Sequence, residues 1–286
     1  MWDTIAKHIS ERTGAVFRLA NARPVGGGCI NQAYQLDGDG GPFFAKLNRA
    51  ESLEMFEAEA DGLRDIAGTG TIRVPNPVCH GTSGGQAYLV LEHVKLGNIG
   101  SQAELGQRLA KLHSVPQMSF GWRRDNTIGS TPQPNPKSND WVAFLREHRL
   151  GFQCHLAKRN GLRLDGADQL LEQLDSFFTY YKPKPSLLHG DLWSGNMAFG
   201  PSGEPVIFDP ATYRGDREAE FGLAEMFGGF GDDFWSAYKA ERPLDDGYPT
   251  RKLLYRLYHT LNHFNLFGGG YGSEAEGIVG RLLRRP

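Results

Sequence analysis

The chain is poor in cysteine, has no long apolar run and carries no excess of charge of either sign. Its three cysteines, Cys29, Cys79 and Cys154, are odd in number and lack CxxC spacing, so neither a disulfide framework nor a zinc site is expected. That usage suits a reducing compartment, and a cytoplasmic protein is expected. No apolar stretch approaches the roughly 18 residues that a membrane helix needs. The opening MWDTIAKHISERTG is polar and amphipathic, without the apolar centre of a secretory signal. Lys and Arg total 31 against 33 Asp and Glu, a formal net charge of −2. A nucleic-acid or membrane-surface binder would show a strongly basic balance, so neither partner is expected. Internal repeats and low-complexity tracts are also absent.

The 286 residues are 40% hydrophobic, enough for a sizeable core without metal or disulfide staples. Residues 1–13 read as a helix, and 14–36 alternate like strands around Gly26-Gly27-Gly28. Phe43 to Leu47 is a short apolar strand with a single lysine. Leu53, Phe56, Ala60, Leu63 and Ile66 recur at helical spacing over 52–66, and Ala87 to Glu92 is another apolar strand. Beyond Ser101 helical patterns dominate: 103–113, 139–158, 167–181 and most of 218–285. Residues 116–138 read as a long Pro-, Asn- and Gly-rich loop, and a loop of that length suggests a substrate-binding role. The expected class is α+β with two lobes, a small β-rich one over 1–95 and a larger helical one over 96–286, joined near Val94 to Gly100.

The strongest chemical signal is His189-Gly190-Asp191-Leu192-Trp193-Ser194-Gly195-Asn196. An Asp followed five residues later by an Asn, on a loop after an apolar strand, is the spacing of a phosphoryl-transfer catalytic loop. The Asp orients or accepts the proton of the attacking hydroxyl, and the Asn offers a neutral oxygen to Mg²⁺. Asp209 ends the apolar run Val206-Ile207-Phe208, 18 residues after Asp191, where a carboxylate can bridge Mg²⁺ to nucleotide phosphates. Taken singly, these motifs are ordinary turns with capping aspartates; it is the ordered set that points to ATP chemistry. Lys46 lies mid-strand among apolar neighbours, where a lysine is costly unless paired. Glu57 and Glu59 are the available partners, and a snorkelling edge-strand lysine is the bland alternative. Gly26, Gly27 and Gly28 lack the full G-x-G-x-x-G pattern but, upstream of Lys46, could cover the phosphates of ATP. Backbone groups of Glu92 and Val94, at the end of a strand before the lobe junction, are placed to meet adenine.

With these residues in order, the chain resembles the fructosamine/ketosamine-3-kinase family, relatives of aminoglycoside phosphotransferases and choline kinases within the protein-kinase-like fold. HGD-x-x-x-x-N supports the superfamily alone. The family resemblance is carried by GGGCINQAY (26–34), FFAKLN (43–48), MFEAEADGL (55–63), RVPNPV (73–78), FGWRRDNTIGSTPQPN (120–135) and DWVAFLREHRLGFQ (140–153). HGDLWSGN (189–196), DPATYRGDREAE (209–220), FGGF (227–230) and LYHTLNHFNLFGGGY (257–271) continue it. The resemblance implies ATP- and Mg²⁺-dependent phosphorylation of the 3-hydroxyl of a ketosamine, free or on a glycated protein. A monomer or weak dimer is expected. The resemblance further implies Asp191 as catalytic base, Asn196 and Asp209 as metal ligands, and Glu59 as the partner of Lys46. Trp193 and His263 become sugar contacts, an indole face suiting a sugar and an imidazole its hydroxyls. It also raises a redox role for Cys29, against the simpler reading of a small residue in a tight loop. One departure stands out: Glu220 occupies a position where Asp is expected, in a role that looks structural, bracing the catalytic loop. An aminoglycoside- or choline-type phosphotransferase is the alternative enzyme, and a catalytically silent nucleotide-binding scaffold the alternative of another class.

Overall fold

The computed structural model describes residues 1–26 and 30–284, so Gly27, Gly28 and Cys29 lie outside the described residues. The chain opens with α1 (Trp2–Thr13), β1 (Leu19–Val25), β2 (Gln32–Gly38), β3 (Phe43–Arg49), α2 (Leu53–Gly68), β4 (Pro77–Ser83) and β5 (Gln86–Glu92). It continues through α3 (Gln102–Leu112), the short β6 (Asn126–Ile128) and β7 (Thr131–Gln133), α4 (Trp141–Leu145), α5 (Phe152–Arg159) and α6 (Ala167–Glu172). Four short strands follow: β8 (Pro185–Leu188), β9 (Met197–Phe199), β10 (Pro205–Ile207) and β11 (Tyr213–Asp216). The end is helical, with α7 (Phe221–Phe227), α8 (Asp232–Glu241), α9 (Tyr248–Phe267) and α10 (Tyr271–Leu283).

Two compact units emerge: Met1–Gly100 with Ala198–Asp209, and Ser101–Met197 with Pro210–Pro286. The first break falls after Gly100, at the end of the expected join near Val94 to Gly100. Residues 198–209 group with the first unit, where Ile207 N–H donates to Arg73 O and Gly97 exchanges both backbone bonds with Phe199.

The first unit is built on an antiparallel sheet in the order β1-β2-β3-β5-β4. Strand alternation sorts its residues: Ala45, Leu47, Tyr88 and Val90 join Ile5 and Ile9 of α1 in one apolar core. Lys46 alternates with them and so faces away from α1. Phe56, Leu63 and Ile66 of α2, buried at helical spacing, cover β4 and β5.

In the second unit α3 packs on α8 and α9 lies against α5, α7 and α10. Ser101 and Asp140 cap α3 and α4 through the amides of Glu104 and Ala143, as short polar side chains do at helix starts. The helix expected over 139–158 is interrupted: a π-helical stretch, Arg146–Gly151, joins α4 to α5. The expected 167–181 helix is one short helix and a 3-10 turn, Leu174–Phe177. The predicted 116–138 loop is mostly irregular, as expected, but parts of it are anchored in the interior. Phe120, Trp122, Ile128, Gln133 and Asn135 are buried, and β6 pairs with β7 in a hairpin. Among the described residues no helix is long and apolar enough to cross a membrane.

His259 on α9 is buried, and its Nδ1 has no hydrogen-bond partner. Burial, with the nearby charges of His263 and Arg149, pulls its pKa from 6.5 down to about 3. The unfolded chain therefore binds the proton first as pH falls. This contribution to stability is whole above about pH 6.5 and drains away towards pH 3, at about 1.4 kcal/mol per pH unit. Urea unfolding at pH 7 and pH 5 should show His259→Leu losing about 2 kcal/mol less than the wild type over that interval; equal losses would clear His259 of the effect.

Candidate active site

The first unit brings two carboxylates to one lysine. Lys46 is 4% exposed on β3, and its Nζ donates to Glu59 Oε1 at 2.6 Å and to Asp209 Oδ1 at 2.5 Å. Of the two candidate glutamates, the structure brings Glu59 to the lysine. Burial alone would pull the Lys46 ammonium down, but Asp209 and Glu59 push it above its ordinary value. Burial pushes the Glu59 carboxyl up, against the pull of Lys46. Removing one partner of such a buried pair costs about 3–5 kcal/mol, because a desolvated charge is left behind. Asp209 has φ 59°, the one non-glycine residue in the left-handed region among those described. Asp tolerates that region better than most residues, at a cost of roughly 1–2 kcal/mol. It uses Oδ1 on Lys46, and the side chain remains 44% exposed, which leaves carboxylate surface for a cation.

Other expected nucleotide contacts are less complete. Among the described residues, nothing lies near where a side chain on Gly26 would project. The Glu92 amide donates to Asn76 O at 2.9 Å, which removes it as a donor to adenine, and its carboxylate is held by Arg73 and Asn76. Val94 lies beyond the end of β5, outside the ladder. Sequence alone does not reveal the Asn76 bond, because it depends on where β4 begins.

The second unit holds the catalytic-loop motif. β8 runs beside β11 and leads into His189. Gly190 has φ 82°, and a Cβ there would stand 2.2 Å from Ala211 O, so this turn accepts only glycine. Asn196 is buried and its Nδ2 donates to both Asp191 O (2.9 Å) and Asp191 Oδ2 (3.1 Å). That fixes the Asp191 carboxylate and leaves the Asn196 Oδ1, a neutral hard oxygen, for a cation.

Glu220 supplies the brace. Its Oε2 receives the His189 amide at 2.7 Å and its Oε1 the Gly190 amide at 2.8 Å. Its Oε2 also meets His113 Nε2 at 3.2 Å, while His113 Nδ1 faces the Tyr238 hydroxyl at 2.9 Å. Burial alone would raise the Glu220 carboxyl, but His113, His189 and the Gly190 amide hold it below its ordinary value. Burial keeps His113 neutral by lowering its pKa. Nε2 therefore carries the proton it gives Glu220, and Nδ1 accepts from Tyr238. The longer side chain at the position where Asp was expected reaches two amides and a histidine at once.

Trp193 and His263, far apart in sequence, meet through Phe227. The Trp193 and Phe227 rings are 5.5 Å apart, and Phe227 and His263 5.1 Å. Phe267 and Tyr271 flank His263 at 5.8 and 5.2 Å. Phe227 and Phe267 are 42% and 59% exposed, so this apolar surface is open. His263 Nδ1 donates to His259 O at 2.8 Å, and burial lowers its pKa, so Nε2 is left as an acceptor. Sequence alone does not single out Phe227, Phe267 or Tyr271, although the motifs FGGF and NLFGGGY contain them.

Glu220→Gln keeps the shape but gives up one acceptor and the charge that two amides and His113 share. It should lower kcat about 100-fold through displacement of the loop, with KM for ATP nearly unchanged. Steady-state kinetics on the folded variant checks this, and a kcat within twofold of wild type would discharge Glu220 from the role.

Comparison with known proteins matches the chain along its length. The fructosamine kinase family model matches residues 1–285. A Synechocystis protein named "Probable ketoamine kinase" is 49% identical, covering 99% of this chain and 97% of its own. The chloroplastic protein-ribulosamine 3-kinase of Arabidopsis thaliana is 45% identical, over 95% of this chain and 85% of its own. A crystal structure described as "Putative fructosamine-3-kinase" from Haemophilus somnus superposes with a TM-score of 0.93 at 29% identity, covering 99% of this chain and 98% of that one. The choline kinase LicA of Streptococcus pneumoniae, at 12% identity and a TM-score of 0.64 over 98% of this chain and 99% of its own, shares the fold alone. With a β-sheet N-terminal region, a helical C-terminal part and these relatives, the fold is protein-kinase-like α+β, and the chain belongs to the fructosamine kinase family.

Proposed function

We propose that this chain transfers the γ-phosphoryl group of ATP to the 3-hydroxyl of a ketosamine, fructosyl or ribulosyl, leading to deglycation of the amine that carries it. The observation that carries the reading is Lys46 held between Glu59 and Asp209, the lysine–glutamate pair and metal-binding aspartate that phosphoryl transfer requires, in a chain of this family. The relatives named ketoamine kinase and protein-ribulosamine 3-kinase supply the acceptor class.

In this reading Lys46 grips the phosphates and Glu59 keeps its ammonium charged and aimed. Gly26, Gly27 and Gly28 cover the phosphates, and the Glu92 carbonyl and Val94 backbone meet adenine. Asp191, fixed by Asn196, orients the acceptor hydroxyl and takes its proton as the bond to phosphorus forms. Asn196 Oδ1 and the Asp209 carboxylate are the donors for Mg²⁺, which neutralises charge on the phosphates when bound. Trp193, Phe227 and His263 give the sugar an apolar face and a hydroxyl acceptor. An aminoglycoside or choline acceptor would call for an acidic pocket; the surface around Trp193 and His263 is aromatic. The enzyme works in the cytoplasm as a monomer or weak dimer.

The test is ATP consumption with Mg²⁺ on ribulosyl-lysine, fructosyl-lysine, kanamycin and choline. Turnover on a ketosamine with a 3-phosphate product is expected, and turnover only on kanamycin or choline would overturn the substrate. Asp191→Asn should abolish turnover with ATP affinity nearly unchanged, and near-normal turnover would sink its role as base. Lys46→Met should raise KM for ATP and cut kcat/KM by at least about 100-fold; unaltered ATP kinetics would exclude phosphate positioning.

A further inference from the structure

Arg149 lies in the π-helical stretch Arg146–Gly151 and is 1% exposed. A π turn widens the helix by one residue and re-aims the side chains it carries. Gly151 admits it, since a Cβ there would stand 2.3 Å from Arg146 O. The guanidinium lies over the rings of Tyr213 at 4.1 Å and Phe144 at 4.6 Å, with Tyr258 at 5.9 Å. Its hydrogen-bond acceptors are all neutral: Pro134 O at 2.7 Å, His148 O at 2.9 Å and Asn135 Oδ1 at 2.6 Å. Burying a guanidinium without a carboxylate costs far more than burying a hydrocarbon of the same volume. What it grips must account for it.

The grip continues through side-chain amides. Asn135 Nδ2 donates to Asn126 Oδ1 at 2.8 Å, and Gln133 Nε2 donates to the same oxygen at 2.8 Å. Asn126 Nδ2 then holds Thr212 O at 2.8 Å, and Gln133 Nε2 holds Ala211 O at 3.1 Å. The Tyr258 hydroxyl fixes Gln133 by donating to its Oε1 at 2.7 Å. Ala211 N–H donates to His189 O at 2.9 Å, two residues before Asp191.

We propose that Arg149 is a positioning residue for phosphoryl transfer: it anchors the amides Asn135, Asn126 and Gln133, which fix the Ala211–Thr212 backbone against the catalytic loop at His189. The segment 116–138 thus serves the catalytic loop from behind. The kinetic consequence rests on the proposed ketosamine kinase activity; the structural consequence does not.

Two variants test it in the full chain. Arg149→Met keeps an unbranched chain in the aromatic cage and ends the relay at its source. Asn126→Ala, at a half-buried position, breaks it in the middle. Each should lower kcat on ribulosyl-lysine at least about tenfold while KM for ATP stays within about twofold. Hydrogen exchange should quicken in peptides spanning 189–196 and 211–213 and stay unchanged in the sheet of residues 19–49. A folded Asn126→Ala with kcat and local exchange within twofold of wild type would overturn the proposal. So would exchange that quickens equally throughout the chain, which would mark general destabilisation. If Arg149→Met does not fold, Asn126→Ala decides alone. A wild type silent on every ketosamine would overturn the functional reading, and the exchange measurement would still decide this one.

Discussion

A single ammonium group buried in an apolar sheet sets terms that much of the first unit obeys. Lys46 alternates with Ala45 and Leu47, whose side chains close the core over α1; the pleat leaves the lysine no choice but the opposite face. There it needs negative charge, since a lone cation would lose its proton or the fold its stability. Glu59 answers from α2, and Asp209 from the end of a short strand 163 residues further on. The second answer draws residues 198–209 into the unit formed by the first hundred residues.

The two acidic braces show opposite solutions to one problem. Around Lys46 two carboxylates share a cation. At Glu220 one carboxylate is shared by two amides and a neutral histidine. Lys46, Glu59 and Glu220 are interior and hydrogen-bonded, as buried polar groups must be. The amide chain behind Ala211 adds a third solution, made of uncharged side chains on every link but its first. Asn and Gln do not change charge with pH, so this support is indifferent to conditions that would titrate the other two.

How much was legible follows from the range of each interaction. Helical spacing in 53–66 and the charge at Lys46 are local, and they sufficed to propose α2, β3 and the need for a glutamate. The choice between Glu57 and Glu59 depends on helix phase against the sheet, which spacing alone leaves open. In residues 116–138 the Pro, Asn and Gly content marks a loop, but composition does not announce the short β6–β7 hairpin, nor that Asn126, Gln133 and Asn135 hydrogen-bond the backbone of Thr212, Ala211 and Arg124. The π turn at Arg146–Gly151 is invisible to a 3.6-residue period. The meeting of Trp193, Phe227 and His263 joins three segments, which no window of sequence contains.

Because Asp209 belongs to the first unit and the stretch Ser101–Met197 belongs to the second, neither unit is a contiguous length of chain. During synthesis, which proceeds from the N-terminus, the five-stranded sheet leaves the ribosome with Lys46 facing Glu59 alone. Its second counter-charge does not yet exist, and more than a hundred residues must be added before it does. The N-terminal sheet is therefore an unfinished folding unit until residues 198–209 have been made, and a fragment cut at Gly100 would keep that incompleteness permanently.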